Sequence, residues 1–414
     1  MKILLYNHYA GNIELGMEFR PYFLAKVWVE LGHEVTVVGS SFSHVRVNQP
    51  KTNGLLSEEN IDGIRYIWLY GMPYIGSGIK RAINILQYLL LSVTLLPKKL
   101  CNDFDVIITS STYPLDIFPA LLAKRSSKNA LLVFEPHDLW PMALTELGGM
   151  STKHPFVLIN SAAEKIACKN SDIIISMHPG NIKHLVTKGA KYENFYHVPN
   201  GVNLSDWLDD NRDESSLRSK IASLKSKGHP IVMYVGSLSV ANNIDFLIEA
   251  IQQTQHSAQY LIIGDGPERR RLDMLVKRKN LPISFLGFIP KLEIPDTLAQ
   301  ADICYVGFQF NPLYKFGMSA NKLWDYMMAG KPIVMSIASC NDPVAEAGCG
   351  VTVSSGNSVD LAKALDGILD LSDAEREVMG SNGKQYVIEN NSYDVLGKKC
   401  ITIFEDNIRS KKNC

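Results

Sequence analysis

The stretch SANKLWDYMMAGKPIV, Ser319 to Val334, starts as an amphipathic helix and ends as a strand. Gly330-Lys331-Pro332 marks the break, since glycine and proline end helices. Ser319 is expected to cap this helix, which puts Asn321 and Lys322 in its first turn. A helix amino terminus offers free N–H groups and a positive dipole end, and it favours phosphate. A lysine in that turn opposes the dipole and asks for a compensating anion. Asp325, one turn on, is placed to accept hydrogen bonds from ribose hydroxyls. The plainer alternative is a solvated amphipathic helix that leads into a strand.

Strand and helix alternate on both sides of this stretch. Lys2–Asn7 (KILLYN) and Pro230–Gly236 (PIVMYVG) are apolar strands running into turns. Helical patterns follow them at Arg20–Leu31 and Asn243–Gln253. Further strands are expected in the first half at Glu34–Gly39, Ile64–Leu69, Val106–Ser110, Ala130–Glu135, Ile173–Ser176 and Tyr196–Val198. In the second half they are expected at Gln259–Ile263, Ile283–Leu286, Ile303–Val306, Ile333–Met335 and Gly350–Val353. Continuously apolar strands suit parallel sheets covered on both faces. The pattern predicts an α/β protein of two Rossmann-like, doubly wound domains. Such sheets bind ligands where strand carboxyl ends meet helix amino ends. Two of them facing a cleft would hold a donor and an acceptor. Pro199-Asn200-Gly201 is a turn closing the first domain, and the polar run Asp209–Lys227 opens the second. The expected division is 1–203, 204–385, and a C-terminal helix in 386–414 that packs back toward the first domain.

Composition narrows the class. The chain has 414 residues, 46% hydrophobic and 20% charged, with a formal net charge of zero. That balance is ordinary for a globular protein, and it provides no global attraction to nucleic acid. The seven cysteines are scattered without a CxxC pair, which argues against disulfides and a zinc site and for reduced thiols in the cytoplasm. The first residues, MKILLYN, read as a buried strand rather than a signal peptide.

Several motifs together carry a family resemblance. Ser319–Val334 resembles the SPNKLFDYMAAGKPV pattern of glycosyltransferase family 4, whose members have the GT-B fold. Met233-Tyr-Val-Gly-Ser-Leu238 looks like that family's opening of the second domain. Ile262-Ile-Gly-Asp-Gly-Pro-Glu-Arg269 looks like its IGDGPER turn. Phe285-Leu-Gly-Phe-Ile-Pro290 with Leu298-Ala-Gln-Ala-Asp-Ile303, and Pro199-Asn-Gly-Val-Asn203, match in the required order. Asn7–Asn12, Gly16–Pro21 and His137-Asp-Leu-Trp-Pro141 are similar to a bacterial subgroup that includes N-acetylfucosamine transferases.

The resemblance implies a retaining hexosyltransferase that uses a nucleoside-diphosphate sugar, with uridine diphosphate as carrier. It implies roles in lipopolysaccharide, O-antigen or capsule assembly, with a lipid-diphosphate-linked or saccharide acceptor. No metal and no cofactor are implied. Gly16, Gly236, Ser237, Ile289, Asn321, Lys322 and Asp325 would form the donor site. Ile289 would read the base through its backbone. Gly16 would let the backbone approach a phosphate or the acceptor. His137 would contact the transferred sugar, and Lys322 would stabilise the departing diphosphate. The alternative for His137 is a satisfied turn histidine beside Asp138.

The departures from the family pattern bear on the diphosphate. Many members carry an arginine after the second-domain glycine and a lysine five residues later. Here Ser237 and Asn242 stand at those positions. Two glutamates eight residues apart are replaced by Gly317 and Asp325. Lys322 is the expected substitute, assisted by Arg20 or Arg269. A sugar-nucleotide epimerase or hydrolase on the same fold, or a weakly active scaffold subunit, are the competing readings.

Other signals point elsewhere. Asp103-Phe-Asp105 has a metal-binding DxD form but runs straight into a strand, so a strand-entry loop is expected. Gly264-Asp-Gly266 lacks the spacing of a dinucleotide fingerprint. Ile79–Leu100 is apolar with Lys80, Arg81, Lys98 and Lys99 at its ends. Its uninterrupted apolar core is shorter than the ~20 residues that cross a bilayer. Two readings stay open for it: a helix resting on an anionic membrane surface, and an ordinary helix of the first domain.

Overall fold

The computed structural model describes residues 1–76, 78–100, 103–208, 216–225 and 228–412. Cys101, Cys414 and most of the polar residues flanking the helix Ser216–Lys225 lie outside the described residues. The chain forms two compact units. The first holds Met1–Pro199 and Tyr393–Cys414, and the second Asn200–Ser392.

In the first unit the strands are β1 (Lys2–Tyr6), β2 (Glu34–Ser40), β3 (Leu56–Ile61), β4 (Ile64–Leu69), β5 (Val106–Thr109), β6 (Leu131–Phe134), β7 (Ile173–Ser176) and β8 (Phe195–His197). Their order in the sheet is β3-β4-β2-β1-β5-β6-β7-β8. All pairs are parallel except β3 with β4. β3 was not expected. Its residues LSEENI are half-exposed and polar, which only an edge strand tolerates. The readable signal was Asp62-Gly63. Both take positive φ, 51° and 80°, the geometry of a tight two-residue hairpin. The central strands β1, β5 and β6 are buried along nearly their full length, as expected for a sheet with helices on both faces.

The last helix, Tyr393–Lys412, belongs to this unit. It buries Tyr393, Leu396, Cys400 and Phe404 in the same core as Phe23 and Trp28 of the helix Phe19–Glu30. Trp28 donates its indole N–H to the Gly397 carbonyl at 3.1 Å.

The second unit holds β9 (Ile231–Val235), β10 (Gln259–Ile263), β11 (Ile283–Gly287), β12 (Ile303–Gly307), β13 (Ile333–Ser336) and β14 (Gly350–Val353). All run parallel in the order β11-β10-β9-β12-β13-β14. Numbered within the unit this is 3-2-1-4-5-6, the doubly wound dinucleotide order. The order reverses between β9 and β12. The crevice at their carboxyl ends is where such sheets take ligands. In the first unit the corresponding reversal lies between β1 and β5.

Candidate active site

The loop Gly236-Ser237-Leu238 leaves β9 at that crevice. It is sewn to the loop after β10, because Leu238 N–H donates to Asp265 O at 2.8 Å and Gly236 N–H to Ile263 O at 2.9 Å. A Cβ on Gly264 would overlap the Gly236 carbonyl. This backbone-to-backbone approach explains why the IGDGPER turn needs glycine there.

The helix of the opening motif spans Asn321–Met328. Ala320 occupies its N-cap position and no side chain caps it, which corrects the expectation for Ser319. The Ser319 hydroxyl instead accepts the Asn200 N–H at 2.7 Å, and its carbonyl accepts from the Asn200 side chain at 2.9 Å. The serine ties the Pro199-Asn200-Gly201 turn to the segment ahead of the helix and leaves the helix start uncapped by side chains.

Lys322 reaches back from this helix to the β9 loop. Its ammonium donates to the Tyr234 hydroxyl at 3.1 Å and to the Asn242 side-chain oxygen. It lies 4.9 Å from the Tyr234 ring centroid and 5.8 Å from that of Phe308, which follows β12. Asn242 is held in turn by donating to the Ser237 carbonyl at 2.9 Å. Lys322 thus places its ammonium directly beside the side chain at position 242. Burial among these rings pulls the ammonium down to about 7, and among the described residues no carboxylate offsets that cost. A neutral cage around a cation at a helix start and a strand crossover is the chemistry of an anion site.

Asn321 is exposed in the first turn. Burial pushes Asp325, one turn further on, up to about 6, with Lys291 pulling the other way. Lys291 stands two residues after Ile289, so the turn that carries Ile289 and the Asp325 carboxylate share one electrostatic neighbourhood. The Ile289 side chain is buried in the core of the unit, while Phe288 beside it is 74% exposed.

Gly16 and His137 belong to the first unit. The Gly16 N–H donates to Asn12 O at 2.9 Å, closing a tight loop after β1. His137 follows β6 and is nearly buried. Its Nδ1 lies 3.2 Å from a Glu18 carboxylate oxygen, and its Nε2 lies 2.9 Å from the Ser110 hydroxyl. Ser110 donates to Glu135. Although burial opposes its charge, Glu18 and Glu135 push the imidazole up to about 10, so it is a cation at neutral pH. Sequence reasoning missed Glu18 and Ser110 as its partners. Glu18 sat inside the quoted Gly16–Pro21 motif, but nothing local linked it to a histidine over a hundred positions away.

Arg20 is not available to a diphosphate. Its guanidinium is 5% exposed and donates to Glu135 at 2.7 Å and to the carbonyls of Val198 and Pro199. Arg269 stacks on Phe285, 4.2 Å from the ring centroid, and pairs with Asp273 at 3.6 Å. Asp103 and Asp105 bind the Lys2 ammonium and the Lys2 N–H, the strand-entry role expected of them. Among the described residues no three His, Cys, Asp or Glu side chains form a group that could hold a metal.

The comparisons agree with this architecture. Residues 16–206 match the family described as Glycosyltransferase Family 4, and residues 229–370 match that described as Glycosyl transferases group 1. Each match covers most of one unit, and the fold is that of the GT-B glycosyltransferases. Among curated proteins it is 23% identical over 184 residues to an alpha-D-kanosaminyltransferase of Streptomyces kanamyceticus, covering 43% of this chain and 46% of the relative. It is 22% identical over 244 residues to a GDP-mannose-dependent monoacylated alpha-(1-6)-phosphatidylinositol monomannoside mannosyltransferase of Corynebacterium glutamicum, covering 58% and 63%. The matches thus span less than two thirds of the length of these relatives. The Anabaena protein HepE, solved in complex with UDP and glucose, superposes with a TM-score of 0.65 at 16% identity over 98% of this chain and 100% of its own.

Proposed function

We propose that the chain moves a sugar, an N-acetylated aminodeoxyhexose, with retention from a uridine-diphosphate donor to a lipid-linked or saccharide acceptor. Its setting is bacterial surface-polysaccharide assembly at the cytoplasmic side of the membrane. The observation that carries the reading is Lys322, a buried amine without a carboxylate partner among the described residues, at the strand crossover of the second sheet.

In the reaction the bond between the anomeric carbon and the phosphate oxygen breaks, and the electron pair leaves with the diphosphate. The acceptor hydroxyl oxygen bonds to that carbon on the same face, and the hydroxyl proton passes to the departing diphosphate. Lys322 and the N–H groups at the start of the helix Asn321–Met328 stabilise that charge. Gly236 and Ser237 bring backbone close to the phosphates, Asp325 takes the ribose hydroxyls, and the Ile289 backbone meets the base. Gly16 serves the acceptor side. His137 contacts the sugar as a fixed cation, with Glu18, 20% exposed, as the partner that a sugar hydroxyl would share. No metal and no cofactor enter this scheme.

Titration calorimetry with UDP tests the reading. Lys322→Ala should weaken binding at least tenfold, while Lys322→Arg keeps part of it and thermal unfolding shows both variants folded. Equal affinity in the alanine variant would remove Lys322 from the site. Tighter binding of GDP than of UDP would overturn the uridine assignment. Rapid turnover of donor without acceptor would favour a hydrolase or epimerase.

A further inference from the structure

The helix Ile79–Thr94 turns its polar side inward. Asn84, Ile85, Tyr88 and Ser92 are its buried residues. Asn84 is bonded to His8 Nε2 at 2.7 Å and donates to Met72 O at 3.0 Å, and the Tyr88 hydroxyl donates to Val38 O at 3.1 Å. These bonds lock one face of the helix onto the first sheet. The opposite face is apolar and open: Ile79 is 82% exposed, Ile83 39%, Leu86 55% and Leu90 51%. The spacing of four, three and four residues puts them in one stripe. Ile75, ahead of the helix, is fully exposed as well.

The ends of the stripe are basic. Lys80, Lys98 and Lys99 are exposed, and no aspartate or glutamate occurs between Asp62 and Asp103. In a chain of zero net charge, this is a local concentration of one sign beside a contiguous apolar face. Monomeric proteins rarely leave such a face in water.

We infer that this face docks on a membrane surface that carries anionic lipid headgroups. The charge decides between that occupant and a second copy of the chain, because stacking two stripes would bring the lysines of both copies together. Anionic headgroups instead satisfy both ends while the isoleucines and leucines enter the acyl boundary. Ile79–Lys98 is long and apolar enough by length and composition to cross a bilayer. It lies flat, because its other face is bonded to the sheet and a sheet cannot follow it into hydrocarbon. The inference deepens the proposed lipid-linked acceptor reading, since a flat dock would hold the first unit where such an acceptor is anchored.

Vesicle sedimentation of the full chain tests this without donor or acceptor. The protein should pellet with vesicles of phosphatidylcholine mixed with phosphatidylglycerol, less with phosphatidylcholine alone, and less as salt rises. The triple variant Ile83→Ser, Leu86→Ser, Leu90→Ser and the double variant Lys98→Glu, Lys99→Glu should each lower partitioning at least tenfold. Both should keep wild-type UDP affinity and thermal unfolding. No pelleting, equal pelleting with neutral vesicles, or equal pelleting of the variants would overturn the inference. So would a dimer in light scattering that the serine variant dissociates. UDP affinity is measured separately, so failure here leaves the donor assignment standing, and the reverse.

Discussion

Lys322 is an amine that touches two rings and two neutral oxygens. Its depressed value of about 7 has a defined pH signature. An unfolded lysine titrates near ~10.4, so between the two values the unfolded chain binds more protons and stability rises with pH. That contribution is lost as pH falls through 7. Ligand binding runs the other way, because only the ammonium attracts a diphosphate. UDP affinity should therefore fall as pH rises above about 7, with uptake approaching one proton per UDP at about pH 8. Calorimetry in two buffers of different ionisation enthalpy reads this, and Lys322→Met should abolish the uptake. Uptake that persists in the variant would place the titrating group elsewhere. His137 is shifted in the opposite sense. The stability that its ion pairs contribute as the imidazole holds its proton is fully present near 6.5 and is lost as pH climbs through about 10. At neutral pH it cannot act as a general base, whatever else it contacts.

At the scale of elements, close backbone approach matters more than intrinsic propensity. The helix Asp373–Asn390 opens with a capping box, in which Ser372 bonds the Glu375 N–H and Glu375 bonds back. Gly380 sits inside this helix. Propensity alone predicts that alanine there would stabilise by about 1 kcal/mol. However, a Cβ on Gly380 would overlap the Gly330 carbonyl, part of the Gly330-Lys331-Pro332 break that follows the Lys322 helix. Gly380→Ala should therefore destabilise by about 1–3 kcal/mol, measured by urea unfolding. An increase in stability would mean that the two segments separate readily. The hairpin of β3 and β4 shows the same hierarchy: a two-residue turn at positive φ outweighs the polar composition of β3.

Across the whole molecule the chain passes from one unit to the other and back, at Pro199–Asn200 and Ser392–Tyr393. The first unit is completed only by the final helix, which buries Tyr393, Leu396, Cys400, Ile401, Ile403 and Phe404. Each fully buried apolar side chain contributes about 1.5–3 kcal/mol, so their sum rivals the ~5–15 kcal/mol that holds a domain folded. A chain truncated after Ser392 should lose the cooperative unfolding of the first unit and aggregate. Calorimetry and size-exclusion chromatography check this; a soluble truncated chain with an unchanged first transition would contradict the assigned core.

The amino-acid sequence by itself determined the class of fold and nearly every strand, because buried parallel strands are continuous apolar runs broken by glycine, proline and asparagine. Ser319–Val334 also marked Lys322 locally, since a lysine in a first turn is conspicuous without any structure. What only the tertiary structure decided were the partnerships over long separations. Lys322 meets Asn242 and Tyr234, Arg20 is consumed by Glu135, Glu18 charges His137, and Ser319 anchors a turn instead of capping a helix. The exposed stripe on Ile79–Thr94 belongs with these. An apolar helix pattern does not say which face a fold will cover, and here bonds from Asn84 and Tyr88 turned the polar face inward. Periodicity is a property of neighbours in the chain, whereas pairing and exposure are set by which distant segments the sheet brings side by side.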